Sequence, residues 1–227
     1  MKIILSLILT FTLTCSSSIS QSYIGSFDLV ASQNYTNGNI QRDTISYYFG
    51  NEKTAILIHG RGESQNMRMV FSTSDTIITS LFEINGKKGG FILPMNDDYW
   101  PGISHALRPY DKGPRKELNY TGKEKHIEGF TCREVLAENE DFNVVLWVAE
   151  DIPLSMTQVF SYQSVGKGKT IKEMEMLDKF GLKGLSLELI LKSKQGGADV
   201  TIQLMNFTET FDENIFSTDG YELIEVE

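Results

Sequence analysis

From Tyr23 onwards the apolar residues of this chain recur at every second position far more often than at every third or fourth. Side chains of an extended strand alternate between two faces, so a period of two is the signature of β-strands. Ile45, Tyr47 and Phe49 share one face, Ile56 and Ile58 another, and Met67, Met69 and Phe71 point one way with Arg68 opposite. Ile77, Thr79 and Leu81 alternate with Ile78, Ser80 and Phe82, and Phe91 to Met95 is a short apolar run. Gly, Asn, Asp and Ser separate these segments at intervals of roughly ten residues, as in an antiparallel meander.

Between Asn96 and Arg115 the alternation stops. Pro101, Pro109 and Pro114 fall here with Gly102 and Gly113, which predicts a long irregular loop. Strands resume over 117–120, 123–127, 130–137 and 142–149. In the last of these Phe142, Val144, Leu146 and Val148 line one face while Val145 and Trp147 line the other, the pattern of a strand covered on both sides. From Pro153 the period lengthens. Met156, Val159 and Phe160 fit one face of a short helix with Pro153 in its first turn, and Ile171, Met174 and Leu177 predict a second helix stopped by Gly181. Leu185, Leu187, Leu189 and Leu191 then alternate with Ser186, Glu188 and Lys192. The turn at Gly196-Gly197 leads into Ala198, Val200, Ile202 and Leu204, which together predict a hairpin. The pattern as a whole predicts a mainly β (α+β) fold: one antiparallel sheet with one or two helices.

The N-terminus follows a different rule. Lys2 precedes an apolar run from Ile3 to Leu13, and Ser18-Ile19-Ser20 supplies the small-x-small site a signal peptidase needs. The run is too short to span a bilayer, so residues 1–20 are expected to be a cleaved secretory signal and 21–227 a single β domain. A lipoprotein signal would place Leu three residues before Cys15 and a small residue just before it. Thr12 and Thr14 stand there, so Cys15 is read as part of the discarded peptide. The expected location is periplasmic or outer-membrane-associated rather than fully extracellular, with no transmembrane segment in the mature chain.

The charge narrows the partners. The chain carries a formal net charge of −9, and nucleic acids and anionic headgroups are bound through clustered Lys and Arg, so no nucleic-acid partner is expected. Only Cys132 remains after cleavage. It sits in an alternating segment and is expected to be a buried structural thiol, with stability coming from the core and not from disulfides. The motifs G-x-S-x-G, H-E-x-x-H, C-x-x-C and the Rossmann glycine fingerprint are absent. Gly166-Lys167-Gly168-Lys169-Thr170 lacks the first Gly of a phosphate loop, because Gln163 stands there. His59, His105 and His126 are far apart and not at metal-ligand spacing. No enzyme, cofactor or metal is therefore expected. What the chain has in excess is 8 Met and 24 aromatic residues, and Met side chains suit adaptable apolar cavities.

Two stretches carry a family resemblance. Thr121-Gly122-Lys123-Glu124-Lys125-His126-Ile127-Glu128-Gly129-Phe130-Thr131-Cys132-Arg133-Glu134 resembles the "TGK-x-K-x-I-x-G-(aromatic)-x-C-(basic)-E" stretch of an exported bacterial domain family of unknown function. Trp147-Val148-Ala149-Glu150-Asp151-Ile152-Pro153 resembles that family's "WV-x-x-D-I/L-P". The end of the chain, Phe216 to Tyr221, is similar to the closing "F-x-x-P-x-G-Y" of that family and of the lipoprotein carriers, the LolA/LolB-like group, with Thr218-Asp219 in place of the usual Pro.

The resemblance implies a single curved antiparallel sheet, a half-barrel, with helices covering its concave face and a hydrophobic ligand held between them. It brings no catalytic residues. Thr121-Gly122 and Gly129 would be bulge or tight-turn positions. If the sheet curves in this way, the apolar cavity is expected to be lined by Met67, Met69, Phe71, Val144, Leu146, Met156, Val159, Phe160, Leu187 and Leu189. The partner implied is a lipid or a lipoprotein acyl chain. The alternative is a structural or interaction module whose sheet edge or 96–115 loop docks another envelope protein.

Overall fold

The alternating segments assemble into one twelve-stranded sheet in the computed structural model, which describes residues 23–62, 65–112, 119–138, 140–166 and 183–226. The secretory segment and the helix expected over 171–177 lie outside the described residues. The strands are β1 (Gly25–Asn34), β2 (Ile40–Phe49), β3 (Lys53–Ile58), β4 (Met67–Ser72), β5 (Ile77–Ile84), β6 (Lys87–Pro94), β7 (Tyr120–Ile127), β8 (Phe130–Glu138), β9 (Phe142–Ala149), β10 (Leu185–Ser193), β11 (Asp199–Thr208) and β12 (Glu222–Glu225). Their order across the sheet is β12-β6-β5-β4-β3-β2-β1-β11-β10-β9-β8-β7. Every neighbouring pair is antiparallel except β12 beside β6. The sheet stays open, with β12 and β7 at its edges.

Two-residue turns with both residues at positive φ link β5 to β6 through Asn85-Gly86 (53° and 76°) and β7 to β8 through Glu128-Gly129 (49° and 84°). This geometry matches the right-handed twist of the flanking strands. Three bulges bend the other half of the sheet. They lie opposite Ser26–Asp28 in β11, between Ser186 and Glu188 in β10, and between Tyr120 and Glu124 in β7, where Gly122 has φ 82°. The first two each add one unpaired residue and the third adds two, and such bulges increase the local twist. The sheet rolls as a result. Phe130, at the tip of the β7–β8 hairpin, packs against Phe207 of β11 at 5.3 Å between ring centroids, although β9 and β10 lie between those strands. The segments expected as separate strands at 117–120 and 123–127 belong, from Tyr120 on, to the single bulged strand β7.

Register decides the two faces. Tyr47, Ile56 and Met69 pair in a row across β2, β3 and β4, as do Phe49, Thr54, Phe71 and Ile78 across β2 to β5, and this inner face carries the main apolar cluster. The outer face carries a smaller cluster of Ala55, Val70 and Leu81 beneath Phe216, Tyr221 and Leu223. Arg68 fastens this C-terminal strap by donating to the backbone oxygens of Asn214, Ile215 and Ser217 at 3.3, 3.0 and 2.7 Å.

The helical cover is short. Helix α1 is Ile103–Ala106 and helix α2 is Met156–Ser161, continued by a 3-10 turn over Tyr162–Ser164. Ser155 starts α2 with a capping box: its hydroxyl accepts from the Gln158 N–H, while the Gln158 side chain accepts from the Ser155 N–H. Pro153 therefore lies before the cap, outside the first turn where the sequence places it. The described part of the 96–115 segment, residues 96–112, also departs from the irregular loop expected of it. The Asn96 side chain accepts from the N–H groups of Asp98 and Tyr99, and the chain then turns into α1 and a 3-10 turn at Tyr110–Lys112. Trp100 is fully buried and donates its indole N–H to the Ser161 carbonyl at 2.7 Å. Gly102 packs so closely that a Cβ there would lie 2.4 Å from Ser164 Oγ.

Candidate functional site

The inner face and its helical cover bring the ten sequence-derived residues together. Met69, Phe71, Val144, Leu146, Met156, Val159, Leu187 and Leu189 are buried in one cluster, and Met67 and Phe160 pack against it. Val144 pairs with Leu191 and Leu146 with Leu189, so β9 and β10 present one face as the alternation requires. Leu187 arrives differently. It is the extra residue of the β10 bulge, and its neighbour Ser186 is as fully buried as it is. The strict alternation read from Leu185 to Leu191 therefore breaks at this point.

The residues that link this wall to solvent are not among the ten, although Ala106 to Tyr110 belong to the 96–115 segment that the alternative reading singles out. Where the β2–β3 turn, the segment after α1 and the start of α2 meet, there is a cleft of about 310 Å3. That lies at the low end of ligand pockets, which span about 300–1,000 Å3. Its inner wall is Phe49, Leu154 and Tyr162, all members of the same buried cluster as the ten. Its mouth carries Leu107, Arg108 and Gln158. Phe49 and Phe71 meet the Tyr162 ring edge-on at 5.7 and 4.9 Å, and Trp100 lies 5.3 Å from it. The inner wall is thus mainly aromatic, while the mouth combines the polar Arg108 and Gln158 with the exposed apolar Leu107. None of the ten lines this cleft itself.

The cleft is lined mainly by aromatic, aliphatic, hydroxyl and amide side chains, with the guanidinium of Arg108. Among the described residues that line it there is no carboxylate, imidazole or thiol. Burial pushes the Tyr23 phenol up to about 12 and also raises Tyr162, so both stay protonated and neutral at ordinary pH. General acid–base work needs a group that titrates near the working pH, and these phenols do not.

One constellation elsewhere has the right residue types for nucleophilic catalysis. Asp28, Ser46 and His59 meet on the outer face, with His59 Nε2 2.8 Å from Ser46 Oγ. The Ser46 hydroxyl donates its single proton to Asp28, so it must accept from the Nε2–H of His59. In a working triad the imidazole accepts the serine proton and the carboxylate orients the imidazole. Here the serine stands in the middle with its proton already committed, and Asn206 also donates to Asp28. The cluster is a hydrogen-bonded brace. Among the described residues no group of three or more His, Cys, Asp or Glu is placed to hold a metal ion, and no helix is long and apolar enough to cross a membrane. Cys132 is fully buried, and burial raises its thiol to about 11.

No family model matches the chain, and no curated protein matches it. Solved structures do. The structure of PNGF-II matches over 88% of this chain and 31% of its own, at 10% identity and TM-score 0.39. MucB in complex with MucA(peri) matches over 90% and 57%, at 10% identity and TM-score 0.43. A LolA superfamily protein from Nitrosomonas europaea matches over 86% and 90%, at 8% identity and TM-score 0.34. The chain spans about a third of the length of the first structures it matches. A LolA superfamily protein is thus among the structures this chain is similar to. Identities near 10% and TM-scores below 0.5 transfer neither activity nor ligand.

Proposed function

We propose that this chain is a non-enzymatic protein of the bacterial envelope, exported by its N-terminal signal, that holds the acyl chain of a lipid or lipoprotein between its sheet and its helical cover. The supporting observation is the cleft between the β2–β3 turn and the two helices. Its inner wall of Phe49, Leu154 and Tyr162 belongs to the buried cluster that contains eight of the ten proposed lining residues and against which Met67 and Phe160 pack. An amphiphile fits this arrangement, with its chain against Phe49, Leu154 and Tyr162 and its head at the polar mouth. Apolar burial stabilises such a complex by about 0.8 kcal/mol per methylene, so a long acyl chain can separate α2 from the inner face of the sheet. The ten residues are the surface it would then meet.

Native purification from the envelope, followed by lipid extraction and mass spectrometry, tests this. A near-stoichiometric acyl lipid is expected. A lipid-free protein that also fails to take up added fatty acid would end the carrier reading.

One observation favours the second reading, an interaction module. At the β12 edge of the inner face Ile84, Phe91 and Ile224 are 57%, 39% and 63% exposed, and Phe91 and Ile224 are aligned in register. Exposed apolar side chains grouped in this way mark docking surfaces in soluble proteins.

A further inference from the structure

The triplet Asp-Thr-Ile occurs twice in the chain, as Asp43-Thr44-Ile45 and as Asp75-Thr76-Ile77. It is similar to the Asp-Ser/Thr-apolar acceptor of an O-glycosylation system of some bacterial periplasms. The two copies are identical in sequence, and the fold separates them. An acceptor hydroxyl must be reached by a transferase and by its sugar donor together, so it has to stand clear of the sheet.

The first copy is locked in the sheet. Thr44 is half-buried inside β2. It pairs with Val30 of β1 on one side, and on the other its carbonyl accepts from the His59 N–H at 3.1 Å. Asp43 is held in a two-pronged pair by Arg61.

The second copy is presented to solvent. Residues 73–76 are all exposed and form the turn between β4 and β5, closed by the pairing of Ser72 with Ile77. The Ser72 hydroxyl donates to Asp75 Oδ2 at 2.7 Å, and the Met95 N–H donates to the Thr76 carbonyl at 3.0 Å, so the turn is fixed from both sides. Asp75 Oδ1 has no partner among the described residues. The Thr76 hydroxyl donates to the Asp75 carbonyl at 2.7 Å, and its oxygen accepts from nothing among the described residues.

Thr76 also has φ 55°. That left-handed backbone is disfavoured for a β-branched residue, and Gly or Asn would serve the turn with less strain. The geometry of the turn therefore does not account for a threonine here. Strained residues of this kind cluster where a side chain is used.

We infer that Thr76 is an O-glycosylation site of the exported chain. The donor is a saccharide activated on a pyrophosphate carrier. A bond forms between Thr76 Oγ1 and the anomeric carbon, the bond from that carbon to the pyrophosphate oxygen breaks, and the hydroxyl proton passes to the released pyrophosphate. Asp75 offers the transferase a fixed negative charge beside the hydroxyl. The inference rests on the proposed export and not on the acyl-chain reading.

The test is mass spectrometry of the chain purified from the envelope of its native cells. Trypsin places the two triplets in separate peptides, residues 43–53 and 69–87. A saccharide mass increment is expected on the second, localised to Thr76 by electron-transfer fragmentation, with none on the first. The increment should be lost in Thr76→Gly, which also relieves the backbone, and in Asp75→Asn, and be kept in Thr76→Ser. Circular dichroism of each variant should match the parent. An unmodified Thr76 in a chain that begins near Gln21 overturns the inference, as does a saccharide on Thr44 or an increment retained in Thr76→Gly. A chain that keeps residues 1–20 overturns the export reading and this inference with it.

Discussion

Ser186 has a hydroxyl buried without a hydrogen-bond partner among the described residues, at a position that is itself fully buried. An unmet buried hydroxyl costs about 1–3 kcal/mol, and removing it leaves the β10 backbone pairing intact. Ser186→Ala is therefore expected to raise stability by about 1 kcal/mol, which in a domain of this size moves the midpoint of a thermal melt up by about 2–4 °C. A fall of that size would mean that the oxygen is satisfied after all. The same position shows what was not legible at this scale. The leucines of β10 read as perfect alternation, but the bulge between Ser186 and Glu188 has no residue signature. The bulge in β7 does have one, Gly122, and that position was anticipated from the Thr121-Gly122 pair. The burial of Cys132 was legible from its alternating surroundings. The meeting of Asp28, Ser46 and His59 was not, because it depends on the β1–β2–β3 register.

Among the elements, the cover over the sheet depends on Gly102. Its N–H donates to Ser164 Oγ at 2.9 Å, and no space remains for a Cβ against Ser164 and the Ser161 carbonyl. Gly102→Ala is expected to push α1 from α2 and cost about 1–3 kcal/mol, the usual range for overpacking. Urea denaturation checks this, and an unchanged midpoint would show that the contact is loose. The sequence marked 96–115 as a break in alternation because Pro and Gly report backbone irregularity. They say nothing about burial, so the fully buried Trp100 within it was not legible. Ser155-x-x-Gln158 has the spacing of a capping box, a signal the reading of Pro153 as first-turn residue passed over, and it sets the start of α2 because it satisfies two backbone donors at once. Asn85-Gly86 is also a stronger hairpin signal than Gly196-Gly197, which the sequence reading took as the clearest, because both of its residues adopt the positive φ of the favoured two-residue turn.

Across the whole molecule the mainly β class followed from the period of two, while the strand order did not. β1 pairs with β11, which lies far away in the chain, and β12 lies parallel beside β6; alternation specifies faces but not neighbours. The rolled half of the sheet is also where carboxylates tie strands together. Glu134 is held below the ordinary carboxylate range by Thr121 and Lys123, Glu138 by Lys194, and Asp199 by the Ser193 N–H and Lys192. A carboxylate whose folded pKa is depressed contributes stability above its unfolded pKa and loses it as pH falls through the folded value. Thermal stability is thus expected to hold from about pH 7 to 5 and to drop below about pH 4, with a smaller drop in Glu134→Gln. An identical acid profile in that variant would remove Glu134 from the account.

The central claim is that an acyl chain enters between sheet and helices beside Trp100, which lies 4.7 Å from Phe71 and 5.3 Å from Tyr162. In a Trp147→Phe background Trp100 is the only tryptophan, so its emission reports on that space. The most direct measurement is titration of the delipidated protein with the fluorescent fatty acid cis-parinaric acid, reading energy transfer from Trp100. The account expects saturable transfer at about one fatty acid per chain, weakened by the charge of Leu107→Glu at the mouth of the cleft. Trp100 emission that stays unchanged at every fatty-acid concentration below micelle formation would contradict it.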